Sequence, residues 1–112
     1  MQSKQSSNLK LLQWNAQGAT TQSVITQIEI FLTSRNIDIA FISETYLLLE
    51  HRFALTGYTV YRNDRPSHGG GVLIAIRDNI EHTRVRRYDT KVAENVSIQM
   101  KIDNVPLIFT SA

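Results

Sequence analysis

The 112-residue chain contains no cysteine and no apolar run approaching the ~20 residues that a membrane-spanning helix needs. It therefore has no disulfide, no thiolate nucleophile and no zinc site of the cysteine type. We expect no membrane span and no membrane partner. The N-terminal residues lack the apolar core of a signal peptide, and no targeting signal is visible. These absences fit an intracellular protein in a reducing compartment.

An excess of charge of either sign is also lacking. The 12 basic and 10 acidic side chains leave a formal net charge of +2, which allows a polyanionic partner without implying one. Hydrophobic residues make up 42% and charged residues 20%, as in ordinary soluble globular proteins. The length is that of one domain or less. We expect residues 1–8 to form a polar, disordered leader and residues 9–112 to form a single unit.

The first part of this unit has the pattern of a βαβ motif. Leu9–Asn15 and Ile37–Glu44 are short apolar runs, typical of buried strands. Between them, apolar residues at helical spacing predict a helix over Thr21–Asn36, with Asn36 as a left-handed cap. A strand, a helix and a strand over this length predict two parallel strands joined by a right-handed crossover.

The rest of the chain predicts antiparallel strands at short spacing: Tyr58–Asn63, Gly71–Arg77, Ile80–Arg87, Asn95–Ile102 and Val105–Ser111. Asp103-Asn104 is a fair two-residue hairpin turn, and Pro106 is tolerated near a strand start or at a sheet edge. From pattern alone the fold class is α/β, with one mixed sheet of about six strands and a helix on one face. Another sheet or subunit should cover the other face. Because the chain stops inside an apolar strand, we interpret it as the N-terminal part of something larger, truncated at its C-terminal side.

Asn15 and Glu44 stand at the carboxyl ends of the two predicted parallel strands. Ligands of open α/β sheets bind at this edge. Neighbouring strands lie about 4.8 Å apart, so an amide and a carboxylate would converge on one small site. A carboxylate is a hard oxygen ligand suited to Mg²⁺, and an amide beside it can orient it or donate to a phosphate oxygen. The alternative is structural: Glu44 begins a solvated loop and Asn15 caps a turn.

Two other features invite a functional interpretation. The glycine triplet that ends at Gly71 could suggest a phosphate cradle, but such loops require a following helix and here a strand follows. We therefore predict a flexible turn or bulge. His51, His68 and His82 show no metal-ligand spacing, and we interpret all of them as surface residues.

A family resemblance is carried by segments in this order and spacing: LLQWNAQG, IDIAFISETYL, GYTVYRNDRPSHGGGVLIAIR, ENVSIQMKI and VPLIFTSA. W-N-A-x-G and S-E-T gain specificity from their combination with Y-R-x-D-R and the GGGV strand. From about Leu9 to Ala112, the chain resembles the endonuclease/exonuclease/phosphatase superfamily. More closely, it resembles the endonuclease domain at the start of the polyprotein of jockey-like non-LTR retrotransposons.

The resemblance implies a four-layer α/β sandwich, with two sheets face to face and helices outside, of which this chain would be the N-terminal half. It also implies cleavage of a phosphodiester bond in DNA with a divalent ion, usually Mg²⁺ and otherwise Mn²⁺. Asn15 matches the family's asparagine near the active-site phosphate, and Glu44 matches the glutamate that binds the metal. Both would be catalytic residues of an intact nuclear enzyme that nicks target DNA for retrotransposition.

Three residues near these motifs are candidates for DNA contact. Tyr46 follows the Glu-Thr of the metal motif, and Arg62 and Arg65 flank the strand end nearest the site. Most protein–DNA hydrogen bonds go to phosphate and sugar, which arginines at the rim of a groove can reach. The alternatives are that Tyr46 is a half-buried loop aromatic and that both arginines pair with Asp64.

The family's later catalytic residues are not in this chain. They are a tyrosine, an Asp/Asn pair, and an Asp with the general-base His. The implied partners are DNA, the missing C-terminal half of the domain and a reverse transcriptase in the full polyprotein. We expect the N-terminal part of a metal-dependent DNA endonuclease, inactive as a fragment, so whether this chain is itself an enzyme stays open. The alternatives are a non-catalytic remnant of a transposon copy and another phosphoesterase of the same superfamily.

Overall fold

The computed structural model describes residues 8–64, 70–85 and 95–111. In chain order, these ranges contain β1 (Leu11–Asn15), α1 (Gln22–Ser34), β2 (Ile39–Ser43), β3 (Tyr58–Asn63), β4 (Val72–Arg77), β5 (Thr83–Arg84), β6 (Val96–Ile102) and β7 (Val105–Ser111). The predicted elements are confirmed, except that within residues 80–85 of the strand predicted over 80–87 only β5 is extended. Residues 86 and 87 lie outside the described ranges, as does the predicted leader apart from Asn8.

The βαβ start is built as its sequence predicts. Thr21 caps α1 by accepting a hydrogen bond from the Val24 N–H at 3.3 Å, and Asn36, with φ of 54°, turns the chain out of the helix. The apolar face of α1 is buried against the sheet. The strands β1 and β2 run parallel, with Asn15 opposite Ser43.

The first sheet has the strand order β1-β2-β4-β3, in which only the β1–β2 pair is parallel. Its register aligns Asn15, Ser43, Val72 and Asn63 in one row across the four strands. We call this row the carboxyl edge, because β1, β2 and β3 end there. The loops that directly follow β1 and β2 therefore begin at this edge.

The second sheet has the order β5-β6-β7 and is antiparallel throughout. Asp103 and Asn104 form the predicted two-residue turn between β6 and β7, with φ of 51° and 66°. Positive φ at both turn positions gives the twist that suits a tight hairpin. Pro106 lies in β7, at the edge of this sheet, as predicted.

The prediction of one sheet of about six strands is wrong, because the strands divide between two sheets that face each other. Ile74 and Ile76 of β4 pack with Val96 and Ile98 of β6 in a core between the sheets. The alternating pattern of β6 identified a buried face but could not say what covered it. The face that we expected another sheet or subunit to cover is covered by the second sheet, and α1 covers the opposite face, as the family resemblance implies.

Helix, first sheet and second sheet form successive layers in the described part of the chain. Apolar side chains stay exposed on β1 and along β7: Leu11 is 51% exposed, Val105 54% and Ile108 41%. Among the described residues, no helix has the length and apolar character to cross a membrane.

Candidate active site at the carboxyl edge

The ends of β1 and β2 are joined backbone to backbone. The Ala16 N–H donates to the Ser43 carbonyl at 2.9 Å, and the Gly18 N–H donates to the Glu44 carbonyl at 2.8 Å. Asn15 is the last residue of β1, and Glu44 follows the last residue of β2 directly. The predicted convergence of the two strand ends is confirmed, whereas the chemical roles of Asn15 and Glu44 stay predictions.

The Asn15 side chain is exposed and caps a turn. Its Oδ1 accepts a hydrogen bond from the Gln17 N–H at 3.2 Å, which is the structural role that the sequence left open. Within the described ranges, its amide NH₂ has no hydrogen-bond acceptor. The capping bond fixes the side chain while leaving a donor that can reach a phosphate oxygen.

Glu44 is half-buried, and its carboxylate makes no hydrogen bond or ion pair with any other described residue. Its backbone has φ of 54°, and those of Gln17 and Tyr46 have φ of 48° and 58°. For residues other than glycine, such a conformation is unfavourable by about 1–3 kcal/mol and persists where the surroundings enforce it, typically at functional sites. Three such residues lie in the two loops that follow β1 and β2.

The glycine loop before β4 contacts the segment that follows Glu44. The Thr45 N–H donates to the Gly71 carbonyl at 3.3 Å, and the Tyr46 N–H donates to the Gly70 carbonyl at 2.8 Å. Both glycines have positive φ, of 66° at Gly70 and 88° at Gly71. At these two residues the loop presents carbonyl oxygens to a neighbouring segment, which fits the predicted turn and not a phosphate cradle.

Tyr46 lies beside the loop that follows Asn15. A Cβ atom built on Gly18 would lie 3.3 Å from Cδ2 of the Tyr46 ring, so the ring rests against Gly18. The side chain is nevertheless 38% exposed. Thr45, in contrast, is completely buried. Thr45 belongs to the S-E-T motif, but its neighbour Gly71 is distant in the chain and no motif joins the two.

Arg62 is engaged within the protein. It forms an ion pair with Asp64, with Nη2 2.7 Å from Oδ2, and its Nε donates to the same carboxylate. Its other donors reach the carbonyls of Leu48 and His51, each at 2.7 Å. The pairing with Asp64 is the alternative that the sequence left open, and the DNA contact of Arg62 stays a prediction. Arg65 lies outside the described residues.

His51 and His82, which we interpreted as surface residues, are both half-buried and hydrogen-bonded within the fold. His51 Nδ1 accepts from the Leu48 N–H at 2.8 Å. His82 lies with Nδ1 2.8 Å from the Ile80 carbonyl and Nε2 2.8 Å from the Tyr61 hydroxyl. Because a carbonyl can only accept, the bond to Ile80 requires a hydrogen on Nδ1. His68 lies outside the described residues.

In the described ranges, no group of three or more His, Asp or Glu side chains could hold a metal ion. The donors that do meet at the carboxyl edge are the Glu44 carboxylate and the Asn15 amide. Mg²⁺ is often bound through one or two carboxylates and keeps several waters. The unengaged, half-buried carboxylate therefore fits one ligand of a divalent-ion site, with the remaining protein ligands drawn from elsewhere.

Curated relatives come from mobile elements of Drosophila melanogaster. The chain is 31% identical over 102 residues to the RNA-directed DNA polymerase from mobile element jockey, covering 87% of this chain and 11% of that protein. It is 32% identical over 77 residues to the probable RNA-directed DNA polymerase from transposon X-element, covering 66% of this chain and 8% of that protein. The chain thus spans about a tenth of the length of the curated relatives it matches.

Solved structures with the same fold include an AP endonuclease from Leishmania major, with a TM-score of 0.71 at 12% identity over 93% of this chain and 39% of that one. The endonuclease domain of TRAS1, a telomere-specific non-LTR retrotransposon, gives a TM-score of 0.66 at 15% identity over 92% of this chain and 43% of that one. The endonuclease/exonuclease/phosphatase family model matches residues 12–111. The chain therefore belongs to the endonuclease/exonuclease/phosphatase family.

Proposed function

We propose that this chain forms the N-terminal part of a divalent-metal-dependent DNA endonuclease of a jockey-like retrotransposon. The observation that carries the proposal is the Glu44 carboxylate, unengaged among the described residues and placed beside Asn15 where two neighbouring parallel strands end. Membership of the family and likeness to polymerases of mobile elements support it. One neighbour in fold is itself the endonuclease domain of a non-LTR retrotransposon.

Glu44 would hold the metal, Mg²⁺ or Mn²⁺, in this proposal. When bound, such an ion polarises a phosphoryl oxygen and stabilises a leaving oxyanion. The Asn15 NH₂ would donate to a phosphate oxygen from the same edge, and the capping bond to Gln17 would keep it oriented. Tyr46, which is exposed next to this edge, and Arg65 would contact the DNA.

The proton-transfer part of the site would be supplied from outside this chain. A general base must lie within hydrogen-bond reach of the attacking water, and its pKa must suit the working pH. His51 and His82 both hold structural hydrogen bonds, so neither is offered as that base. The partners in this proposal are DNA, the remaining part of the domain and a reverse transcriptase, acting in the nucleus. We expect the 112-residue chain alone to be inactive.

Metal binding tests the proposal directly on the chain. We expect the unmodified chain to bind Mn²⁺ and Glu44→Gln to bind it at least ~10-fold more weakly. Electron paramagnetic resonance of Mn²⁺ measures both affinities. Glu81→Gln is the matched control, because it removes the same charge from an exposed position between β4 and β5. Equal Mn²⁺ affinity in the chain and in Glu44→Gln would rule Glu44 out as the ligand.

Activity is tested in an intact domain that carries this chain as its N-terminal part. We expect such a domain to nick supercoiled plasmid with Mg²⁺ and Glu44→Gln to abolish nicking. Release of phosphate from a phosphomonoester without plasmid nicking would favour another phosphoesterase of the same superfamily. The absence of both activities from the intact domain would favour a non-catalytic remnant.

A further inference from the structure

We propose that Gly71 is a positioning residue for Glu44 and acts through the buried side chain of Thr45. This inference rests on the proposed metal role of Glu44. In this proposal the glycine loop fixes the segment 44–46 at the carboxyl edge, so that the Glu44 carboxylate is held in place before any ligand binds.

The contact between Gly71 and Thr45 leaves no room for a side chain. A Cβ atom built on Gly71 would lie 2.5 Å from Oγ1 of Thr45, well inside the distance at which such atoms pack. Thr45 is completely buried, so its side chain has no solvent space into which it can move. Gly71 also has φ of 88°, a conformation that residues with a Cβ rarely adopt. Two independent features therefore require glycine at this position.

Hydrogen bonds fix the segment 44–46 from both sides. On the β4 side, Thr45 and Tyr46 donate to the carbonyls of Gly71 and Gly70. On the β1 side, the carbonyls of Glu44 and Thr45 accept from the N–H groups of Gly18 and Ala19, each at 2.8 Å. The segment thus bridges the loops next to Asn15 and before β4. A displacement of Thr45 away from Gly71 would carry the Glu44 backbone with it.

A small displacement of Glu44 should cause a large loss of metal affinity. Residues that orient a ligand typically alter metal affinity by ~10- to 100-fold when they are changed. A misplacement of about 1 Å in a catalytic group can lower a rate by ~10²-fold. The Glu44 carboxylate makes no bond of its own to another described residue, so its position depends on the backbone that carries it.

The chain contains a matched control for this contact. Gly57 has φ of 84°, close to the 88° of Gly71, but a Cβ built on Gly57 meets nothing within 4 Å. Gly57→Ala therefore introduces the backbone strain alone, whereas Gly71→Ala introduces the same strain together with the collision. Adding Thr45→Ala to Gly71→Ala removes the Oγ1 atom and with it the collision.

Two measurements on the chain decide the inference. We expect Gly71→Ala to weaken Mn²⁺ binding by ~10- to 100-fold and to speed hydrogen exchange of the Tyr46 and Gly18 amides. We expect Gly57→Ala to leave both unchanged. The double variant should bind Mn²⁺ more tightly than Gly71→Ala does, and as tightly as Thr45→Ala alone.

Several results would overturn the inference. Equal losses of Mn²⁺ affinity in Gly71→Ala and Gly57→Ala would mean that Gly71 matters only for its backbone conformation. A double variant that binds Mn²⁺ no more tightly than Gly71→Ala would exclude the collision as the cause. If Gly71→Ala does not fold, folding restored by Thr45→Ala supports the contact, and folding not restored refutes it. If Mn²⁺ binding does not depend on Glu44, the proposed function fails, and amide exchange alone decides the positioning: unchanged exchange in Gly71→Ala refutes it.

Discussion

The Tyr58 hydroxyl donates a hydrogen bond of 2.6 Å to the backbone carbonyl of Ile37. This bond joins the first residue of β3 to the turn between α1 and β2, at the end of the first sheet opposite the carboxyl edge. Burial raises the pKa of Tyr58 above its ordinary value of 10.0, the positive charge of Arg77 opposes that rise, and the negative charge of Asp38 adds to it. The fold therefore favours the neutral phenol.

Stability should fall at alkaline pH because of this residue. A pKa that is higher in the folded than in the unfolded state means that the folded protein binds the proton more tightly as pH passes 10. The stabilisation is fully present below pH 10.0 and is lost as pH rises through the folded pKa. Tyr58→Phe should lower the free energy of unfolding by about 1 kcal/mol at neutral pH and make its alkaline decline shallower. Urea unfolding from neutral to alkaline pH measures both effects, with Tyr46→Phe as an exposed control.

Arg62 should contribute to stability more than to DNA binding. Its guanidinium bonds to Asp64 and to two carbonyls of the turn at Leu48–His51, and charge-assisted bonds of this kind are strong. Arg62→Ala should lower the free energy of unfolding by about 2 kcal/mol, and Arg62→Lys should recover only part of this, because an ammonium cannot replace the planar fork. Urea unfolding measures both, with the exposed Arg52→Ala as control. A change below that of Arg52→Ala would contradict the prediction.

Arg65 should account for more of the salt dependence of DNA binding than Arg62. Each phosphate contact that is lost reduces the slope of log affinity against log salt by about one. We expect Arg65→Ala in an intact domain to weaken binding to duplex DNA and to reduce this slope. Arg62→Ala should reduce the slope less, since four of its five N–H donors already bond within the fold. The opposite result would assign the phosphate contact to Arg62.

One edge of β7 pairs with no other described strand, and this edge should make the isolated chain associate with itself. Exposed edge strands offer unpaired backbone groups to other strands, and charged side chains discourage that pairing. Ile108 is 41% exposed on this strand, so Ile108→Lys should reduce concentration-dependent association in sedimentation velocity. Ile30→Lys is the control, because Ile30 is 60% exposed on α1, away from any strand edge. Equal effects of the two changes would point to general hydrophobic association.

Local patterns predicted most of the elements, and they failed where the answer depended on distant contacts. Helical spacing in α1 and alternation in β6 identified each element, because burial of one face leaves a period in the sequence. That period does not say what lies against the buried face, so the division into two sheets was missed from pattern alone. The bonds from Arg62 to the carbonyls of Leu48 and His51 likewise depend on tertiary contacts, which the motif around Arg62 does not show.

Only part of the candidate site was predictable from the sequence. Asn15 and Glu44 were found because the ends of parallel strands meet at one edge. The contact between Thr45 and Gly71 was not found, since it joins two loops that are distant in the chain. Tertiary packing determines that contact, and local sequence does not encode it.

Pro106 determines how a further strand could join the second sheet. In a two-residue hairpin, the residues that flank the turn exchange hydrogen bonds, which here are Ile102 and Val105. The nitrogen of the next residue, Pro106, therefore faces away from β6 and lacks the hydrogen that an added strand would need. An incoming strand would find its first outward donor at Ile108. The proline thus selects a register for strand addition, directing it to the half of β7 remote from the hairpin turn.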